Sequence, residues 1–312
     1  MFHCRKLKLF KWYSMGKIYK AIIFGSNGQD GYYLSKLLGR ESVEFICVSR
    51  KGNAVHGDVG DYGFVEGQIK EYQPSYIFHF AARSTTQHHA LFENHQTICT
   101  GTLNILEAAK LYCPNAKVFI SGSAMQFKNN GLPIDEQAPF EGSSPYAVAR
   151  IQSVYAARYY RDKFGLQVYV GYFFNHDSPL RTEQHVNQKI VKIVNRIYAG
   201  STEKLELGNI DVKKEFNFAG DTVEAVWMLV NQNIVYEAII GSGKAYGIKD
   251  WVECCFRKRN LDWKDYVIVK REFTAEYDVL VSNPKLIKSL GWEQKVSFHQ
   301  LADLMMDCST SQ

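Results

Sequence analysis

The sequence lacks long apolar runs, a secretion signal and the cysteine spacings that indicate disulfides or metal sites. No stretch approaches the roughly 18 apolar residues of a membrane span, so we expect none. The seven cysteines are scattered, and the adjacent pair Cys254 and Cys255 is too strained for an ordinary structural bridge. An odd number of cysteines without a signal peptide indicates reduced thiols and a cytoplasmic location. No cysteine or histidine spacing resembles a zinc site, so we predict no metal.

Acidic residues are missing from the first twenty positions, although the whole chain carries a formal net charge of +5. Six basic residues lie there, so the remainder of the chain carries a net charge of −1. A nucleic-acid-binding protein spreads its basic residues over a folded face, which argues against nucleic acid as a partner. We predict that residues 1–16 are a basic, disordered leader, with Met15 as an alternative start.

The first half of the 312-residue chain alternates short β-rich runs with amphipathic stretches. The predicted strands are Ile18–Phe24, Glu44–Val48, Ser75–Phe80, Lys117–Ile120 and Leu166–Phe173. The predicted helices between them are Tyr32–Leu38, Phe64–Glu71, Thr102–Leu111 and Tyr146–Phe164. This alternation predicts an α/β fold with a Rossmann-type, doubly wound parallel sheet. After residue 176 the predicted elements are mainly helices, namely His185–Ala199, Asp221–Leu229, Leu286–Leu290 and Phe298–Met305, which indicates a smaller C-terminal lobe.

A glycine-rich turn follows the first predicted strand and opens the first helix. Its spacing is G-x-x-G-x-x-G, and the predicted cofactor-binding residues in it are Gly25, Asn27, Gly28, Gln29, Asp30 and Gly31. Small residues let the backbone approach a pyrophosphate, whose charge the helix N-terminus stabilises. We therefore predict a dinucleotide-binding domain over residues 17–175 and a mainly substrate-binding lobe over residues 176–312.

The end of the second strand indicates which nicotinamide dinucleotide binds. A carboxylate there would bind the ribose 2′-hydroxyl of NAD, whereas Ser49-Arg50-Lys51 offers basic groups for a 2′-phosphate. NADP is therefore favoured and NAD remains possible; two solvated surface charges are the alternative interpretation. Further cofactor contacts are predicted at Asp58 and Val59, near the adenine, and at Ala81 and Ala82, beside the nicotinamide ribose.

The segment Ser144–Arg150 carries the strongest catalytic signal. Ser144 suits the N-cap of a helix and a proline follows it. Tyr146 and Arg150 are four residues apart and share one helical face. A neighbouring cation favours phenolate, so Tyr146 is a candidate general base for a sugar hydroxyl, with Ser123 as a hydrogen-bonding partner.

These motifs resemble the extended short-chain dehydrogenase/reductase superfamily, and most closely its GDP-mannose 4,6-dehydratase branch. The matching stretches are Gly28–Gly31, Ser144–Ala149, Phe174–Pro179, Leu207–Asn209, Ala275–Asp278 and Gly291-Trp292. The resemblance implies a GDP-sugar substrate, a homodimer or homotetramer, and hydride transfer at sugar C4 followed by loss of water across C5 and C6. It also implies catalytic roles for Ser123, Tyr146 and Arg150. The substrate contacts that it implies are Ser84, Asn175, Lys189, Arg271 and Glu276.

Two positions depart from the family pattern. Arg150 stands where the family has a catalytic lysine, and it keeps the charge but cannot lose a proton. Met125 stands where the family has the glutamate that drives elimination; a shift of one residue places Ala124 there instead. Glu136 and Glu141 follow in the next loop, but the sequence does not bring them to the site.

Three hypotheses follow. One is an active 4,6-dehydratase. A second is a C4 dehydrogenase, reductase or epimerase acting on a related GDP-sugar without elimination. A third is a non-catalytic paralogue that binds nucleotide.

Overall fold

The computed structural model describes residues 19–52, 54–270 and 275–308. The predicted basic leader and Arg271 lie outside these ranges. None of the helices in the described ranges is long and apolar enough to cross a membrane.

A parallel sheet organises the chain. Its strand order is β3-β2-β1-β4-β5-β6-β11, and each neighbouring pair is parallel. The strands are β1 (Lys20–Phe24), β2 (Glu44–Ser49), β3 (Val55–His56), β4 (Tyr76–His79), β5 (Lys117–Ser123), β6 (Gln167–Phe173), β7 (His176–Asp177), β8 (Leu205–Leu207), β9 (Lys213–Glu215), β10 (Asn217–Phe218), β11 (Glu237–Ile240), β12 (Ala245–Gly247), β13 (Val267–Val269) and β14 (Val279–Leu280). The predicted doubly wound parallel sheet is confirmed, and the five predicted strands all form.

Helices cover both faces of this sheet. They are α1 (Gln29–Arg40), α2 (Tyr62–Tyr72), α3 (Leu91–Asn94), α4 (Gly101–Tyr112), α5 (Pro145–Phe164), α6 (Val186–Tyr198), α7 (Ala219–Val230), α8 (Ile248–Arg257), α9 (Lys285–Ser289) and α10 (Phe298–Cys308). Helices α2, α4 and α5 contribute to the apolar core on one face, and α1 and α7 to the core on the other. The second core contains a run of contacting rings from Phe78, Phe80, Phe119 and Phe173. Strands β2 and β3 are added on one side of β1, and β4, β5 and β6 are added on its other side. In sheets with this reversal of strand order, the ligand cleft lies at the carboxyl ends of the strands where the order reverses.

The C-terminal part of the chain divides its residues between two bodies. Helices α6, α8 and α10 enclose a separate apolar core. Strand β11, however, is an edge strand of the large sheet, and helix α7 packs in the core on one face of that sheet. Residues after 175 therefore contribute to both the large sheet and the smaller core. Neither α8 nor β11 was predicted from the sequence.

Candidate active site

The glycine-rich turn between β1 and α1 has the backbone geometry that only glycine allows. Gly25 has a φ of +87°, and a Cβ placed on it would lie 2.4 Å from the backbone nitrogen of Ala81. A Cβ on Gly31 would lie 2.5 Å from Ser26 Cα, so α1 packs directly against the turn. Gly28 is the N-cap of α1 and supplies no side-chain cap, which leaves the first N–H groups of the helix available to an anion.

A cavity of about 550 Å³ opens in front of this turn. Eight of the predicted cofactor residues line it: Gly25, Asn27, Gly28, Arg50, Asp58, Val59, Ala81 and Ala82. Its wall of glycine backbone, small alanines and a helix N-terminus fits the pyrophosphate and riboses of a dinucleotide. Gln29 and Gly31 do not line this cavity. Gln29 instead donates to the carbonyl of His176 at 3.1 Å and accepts from Ser178 Oγ at 2.8 Å, which fastens the turn to the chain after β6.

Arg50 does not stand free in the cavity. Its Nη2 lies 3.0 Å from Glu93 Oε1, and Arg83 Nη1 lies 2.6 Å from Glu93 Oε2. The Arg83 and Arg50 guanidiniums hold the pKa of Glu93 below its usual range. Lys51, which the sequence analysis placed with Arg50 as a basic group for a 2′-phosphate, also lines the cavity; Glu93 lines it too and was not predicted.

A second cavity, of about 320 Å³, lies beside the first and contains the predicted catalytic residues. Its lining includes Ser84, Ser121, Ser123, Met125, Tyr146, Arg150, Asn175 and Arg181. Phe80 lines both cavities, so the two are neighbours at the ends of β4 and β5.

Tyr146 lies in the first turn of α5, as its cap predicted. Ser144 Oγ accepts from the N–H of Ala147 at 3.2 Å, and Pro145 opens the helix. The Arg150 guanidinium carbon lies 5.1 Å from the centre of the Tyr146 ring. Arg150 Nη1 donates to Ser121 Oγ at 2.8 Å, which holds the cation at the end of β5.

Two polar atoms at this site are left for a ligand. Arg150 is only 4% exposed, and its Nε has no hydrogen-bond partner in the described chain. The buried Asn175 Oδ1 likewise has no partner among the described residues. Because buried polar groups are almost always paired, both observations indicate that a bound molecule completes the site.

Ser123 takes part in the tight turn that follows β5. Its Oγ accepts from the N–H of Met125 at 3.2 Å, while Gln126 accepts from the N–H of Ser123 at 2.9 Å. A hydroxyl that accepts one bond keeps its own proton to donate. Ser123 can therefore donate a hydrogen bond into the cavity.

Neither loop glutamate stands in for the missing carboxylate. Glu136 Oε1 accepts from the N–H of Ile239 at 2.8 Å, on strand β11. Glu141 does not line the cavity; its backbone N–H donates to the Gln126 carbonyl at 2.8 Å. Met125 does line it.

Asp30 is the one carboxylate among the described residues of the second cavity, and it is paired. His176 Nε2 lies 2.8 Å from Asp30 Oδ1, and His176 Nδ1 lies 2.9 Å from the Phe174 carbonyl. Burial alone would lower the pKa of His176, but the Asp30 carboxylate raises it, which favours the protonated ring between these two acceptors. Burial alone would raise the pKa of Asp30, but His176, with Arg181 and Arg150, lowers it below the usual range.

Of the five predicted substrate residues, some line the second cavity and others do not. Ser84 and Asn175 line the second cavity. Glu276 accepts from Thr86, which lines that cavity, at 2.5 Å. Lys189 does not line it; its Nζ donates to the carbonyl of Glu206 at 2.8 Å. Arg271 lies outside the described residues.

Sequence reasoning missed Arg181 and His185. Both line the second cavity, and Arg181 donates to Asp177 at 3.1 Å and to the His176 carbonyl at 3.2 Å. The spacing of Asp177 and Arg181 was a usable signal, because residues four apart pair readily in a turn or helix. Burial, aided by Arg181, lowers the pKa of His185 to about 4, so His185 is neutral and Arg181 supplies the cation.

The sheet, the glycine turn and the Ser–Tyr–Arg set together define an enzyme of the extended short-chain dehydrogenase/reductase class. A family model described as GDP-mannose 4,6 dehydratase matches residues 22–305. GDP-mannose 4,6 dehydratase 1 of Arabidopsis thaliana is 30% identical over 322 aligned residues, covering 92% of this chain and 88% of that protein. The chain belongs to the GDP-mannose 4,6-dehydratase family.

Solved structures share the fold at lower identity. RMD from Pseudomonas aeruginosa, solved with NADPH, has a TM-score of 0.83 at 20% identity, covering 94% of this chain and 99% of that one. dTDP-glucose 4,6-dehydratase from Bacillus anthracis, solved with NAD, has a TM-score of 0.82 at 19% identity, covering 94% of this chain and 97% of that one.

Proposed function

We propose that this chain transfers a hydride at C4 of a GDP-linked hexose, using NADP, with Tyr146 as the proton-transferring residue. One observation carries the proposal: Ser123, Tyr146 and Arg150 line a single cavity that adjoins the glycine-rich turn. The GDP-sugar follows from the family to which the chain belongs.

In this proposal the Tyr146 oxygen exchanges a proton with the C4 hydroxyl. Ser123 donates a hydrogen bond to the same sugar oxygen, because its Oγ accepts from the Met125 N–H and its own proton is not committed to that bond. The Arg150 guanidinium, 5.1 Å from the centre of the Tyr146 ring, places a positive charge beside the residue that exchanges the proton. A bound nicotinamide would supply the hydride acceptor or donor for C4.

NADP is the dinucleotide that the charges of the first cavity support. Arg50 and Lys51 bring two cations to the end of β2, where a 2′-phosphate would need them. Gly25, Gly28 and the N-terminus of α1 would hold the pyrophosphate. Structures of this fold have been solved with NADPH and with NAD, which supports a nicotinamide dinucleotide of either kind.

The substrate would lie across the second cavity. Asn175 Oδ1 is free to accept a hydrogen bond, Ser84 lies on the cavity wall, and Glu276 is held near it by Thr86. Arg181 adds a cation that suits an anionic diphosphate. Lys189 would have to leave the carbonyl of Glu206 to contribute.

The side chains favour C4 chemistry without loss of water. Elimination needs a base for the C5 proton and an acid for the C6 hydroxyl. Met125 offers neither group, Glu136 is bonded to Ile239, and Asp30 is bound to His176. A C4 dehydrogenase, reductase or epimerase therefore fits the site better than a 4,6-dehydratase.

Mass spectrometry of the product, with NADPH absorbance followed in the same reaction, tests this proposal. GDP-mannose and NADP should give a product short of two hydrogens and an equal amount of NADPH, or an isomer of unchanged mass. Loss of one water with no net NADPH would establish a dehydratase and contradict the proposal. Dinucleotide binding without turnover of any GDP-hexose with NADP, or of a 4-keto GDP-hexose with NADPH, would establish a non-catalytic paralogue.

We further propose that two copies of the chain associate through α4 and α5. These neighbouring helices expose apolar side chains at Leu103, Leu111, Tyr155 and Tyr159. Such a patch on two packed helices is typical of an interface. Analytical ultracentrifugation at micromolar concentration should give twice the chain mass or more.

The free thiols, including the unbridged neighbours Cys254 and Cys255, are consistent with a reducing, cytoplasmic compartment.

A further inference from the structure

An ion pair bridges the two walls of the first cavity. Arg50 directly follows β2, and Glu93 lies on α3, in the chain after β4. Strands β2 and β4 flank β1, so these side chains approach each other from opposite sides of the cleft. Arg50 Nη2 lies 3.0 Å from Glu93 Oε1, and both residues line the cavity.

Both oxygens of Glu93 are engaged by arginines. Arg83 Nη1 takes the second oxygen at 2.6 Å. The guanidiniums of Arg83 and Arg50 lower the pKa of Glu93, so the carboxylate is ionised at neutral pH. Without that carboxylate, the Arg50 guanidinium and the Lys51 ammonium at the end of β2 would lack a countercharge from α3, as would Arg83 in the chain after β4.

The two forms of the dinucleotide meet this carboxylate differently. A ribose 2′-hydroxyl can donate to a carboxylate and accept from a guanidinium, so Glu93 and Arg50 are both compatible with NAD. A 2′-phosphate only accepts hydrogen bonds and carries nearly two negative charges at neutral pH. Glu93 repels that phosphate and also competes with it for Arg50.

We propose that Glu93 is a specificity-determining residue for the 2′ group of the dinucleotide. It limits the preference for NADP that Arg50 and Lys51 confer, and it keeps NAD binding competitive. This inference rests on the proposed function only in that the first cavity holds a nicotinamide dinucleotide. The missing carboxylate at the end of β2 is thus supplied from α3, 43 positions further along the chain.

The test is the ratio of the dissociation constants of NAD and NADP for the full chain, measured by equilibrium titration of tryptophan fluorescence. Glu93→Gln keeps the shape of the side chain and removes its charge. The ratio of Kd for NAD to Kd for NADP should rise about five- to tenfold, because an exposed ion pair contributes up to about 1 kcal/mol and direct repulsion adds to it. Glu93→Asp, which keeps the charge, should bring the ratio back toward that of the unmodified chain.

Glu71→Gln is the matched control. Glu71 is exposed on α2 and lines neither cavity, so this substitution makes the same change in net charge away from both. Its ratio should stay within about twofold of the unmodified chain, the spread expected of a distant surface charge. An unchanged ratio in Glu93→Gln, or a shift toward NAD, would overturn the inference while leaving the proposed function intact. Failure of the unmodified chain to bind either dinucleotide would instead overturn the proposed function.

Discussion

Glu237 joins helix α5 to the edge strand of the sheet, and its removal should measurably destabilise the fold. It lies on β11 and accepts from Arg158 at 2.9 and 2.7 Å, from Arg161 at 2.8 Å and from the Tyr172 hydroxyl at 2.6 Å. Both arginines belong to α5, the helix whose first turn carries Tyr146. The Glu237 side chain is only 16% exposed.

The pKa of Glu237 gives the size of the effect. Burial alone would raise this pKa, but Arg158, Tyr172 and Arg161 lower it from 4.5 to about 2. The difference corresponds to about 3 kcal/mol of stability at neutral pH. The Arg158 side chain is 35% exposed, so solvent screening reduces the contribution to about 2 kcal/mol. Because the folded-state pKa is lowered, this stability is present above pH 4.5 and is lost as the pH falls toward 2.

Glu237→Gln should therefore lower the free energy of unfolding by about 2 kcal/mol at pH 7, measured by urea denaturation. The difference from the unmodified chain should fall to less than about half at pH 3, where the native carboxylate loses much of its advantage. Glu253→Gln is the control: its carboxylate lies 4.0 Å from Lys249 on an exposed helix face, and its loss should cost less than about 0.5 kcal/mol. A loss in Glu237→Gln that is the same at pH 7 and pH 3 would refute the ion-pair reasoning.

Three further substitutions test the site. Tyr146→Phe should reduce C4 turnover, measured by NADPH absorbance, by about a hundredfold or more. The dissociation constant for NADP should stay close to that of the unmodified chain. Undiminished turnover would remove Tyr146 from the mechanism. Gly31→Ala should cost about 1–3 kcal/mol and weaken dinucleotide binding, because its Cβ would meet the Ser26 backbone at 2.5 Å. Gly39→Ala on the same helix has nothing within 4 Å and should be neutral or stabilising, and equal losses at the two glycines would contradict the packing argument. Met125→Glu should cost less than about 2 kcal/mol by urea denaturation, because Met125 faces a cavity; a larger loss would identify a core position.

Much of the fold and part of the site could be predicted because their signals are local. A buried strand, a capped helix or a glycine turn is encoded within a few consecutive residues. Ser144 and Pro145 therefore predicted the start of α5. Gly25 and Gly31 predicted a tight turn, and the structure confirms that neighbouring backbone lies too close to either residue for a side chain. Short C-terminal elements such as β11 were missed, because a run of three apolar residues after Glu237 does not by itself distinguish a sheet strand from other buried chain.

Long-range polar partners depended on the tertiary structure, since no periodicity along the chain relates them. Gln29 is bonded to the carbonyl of His176, 147 positions away, rather than facing the first cavity. Glu136 accepts from Ile239, 103 positions away, which removes it as a substitute acid. The sequence by itself indicated the glycine turn and identified Tyr146 and Ser123 as candidate catalytic residues. Packing decided which charges stand beside them, because side chains from distant segments meet only where the sheet and helices bring them together.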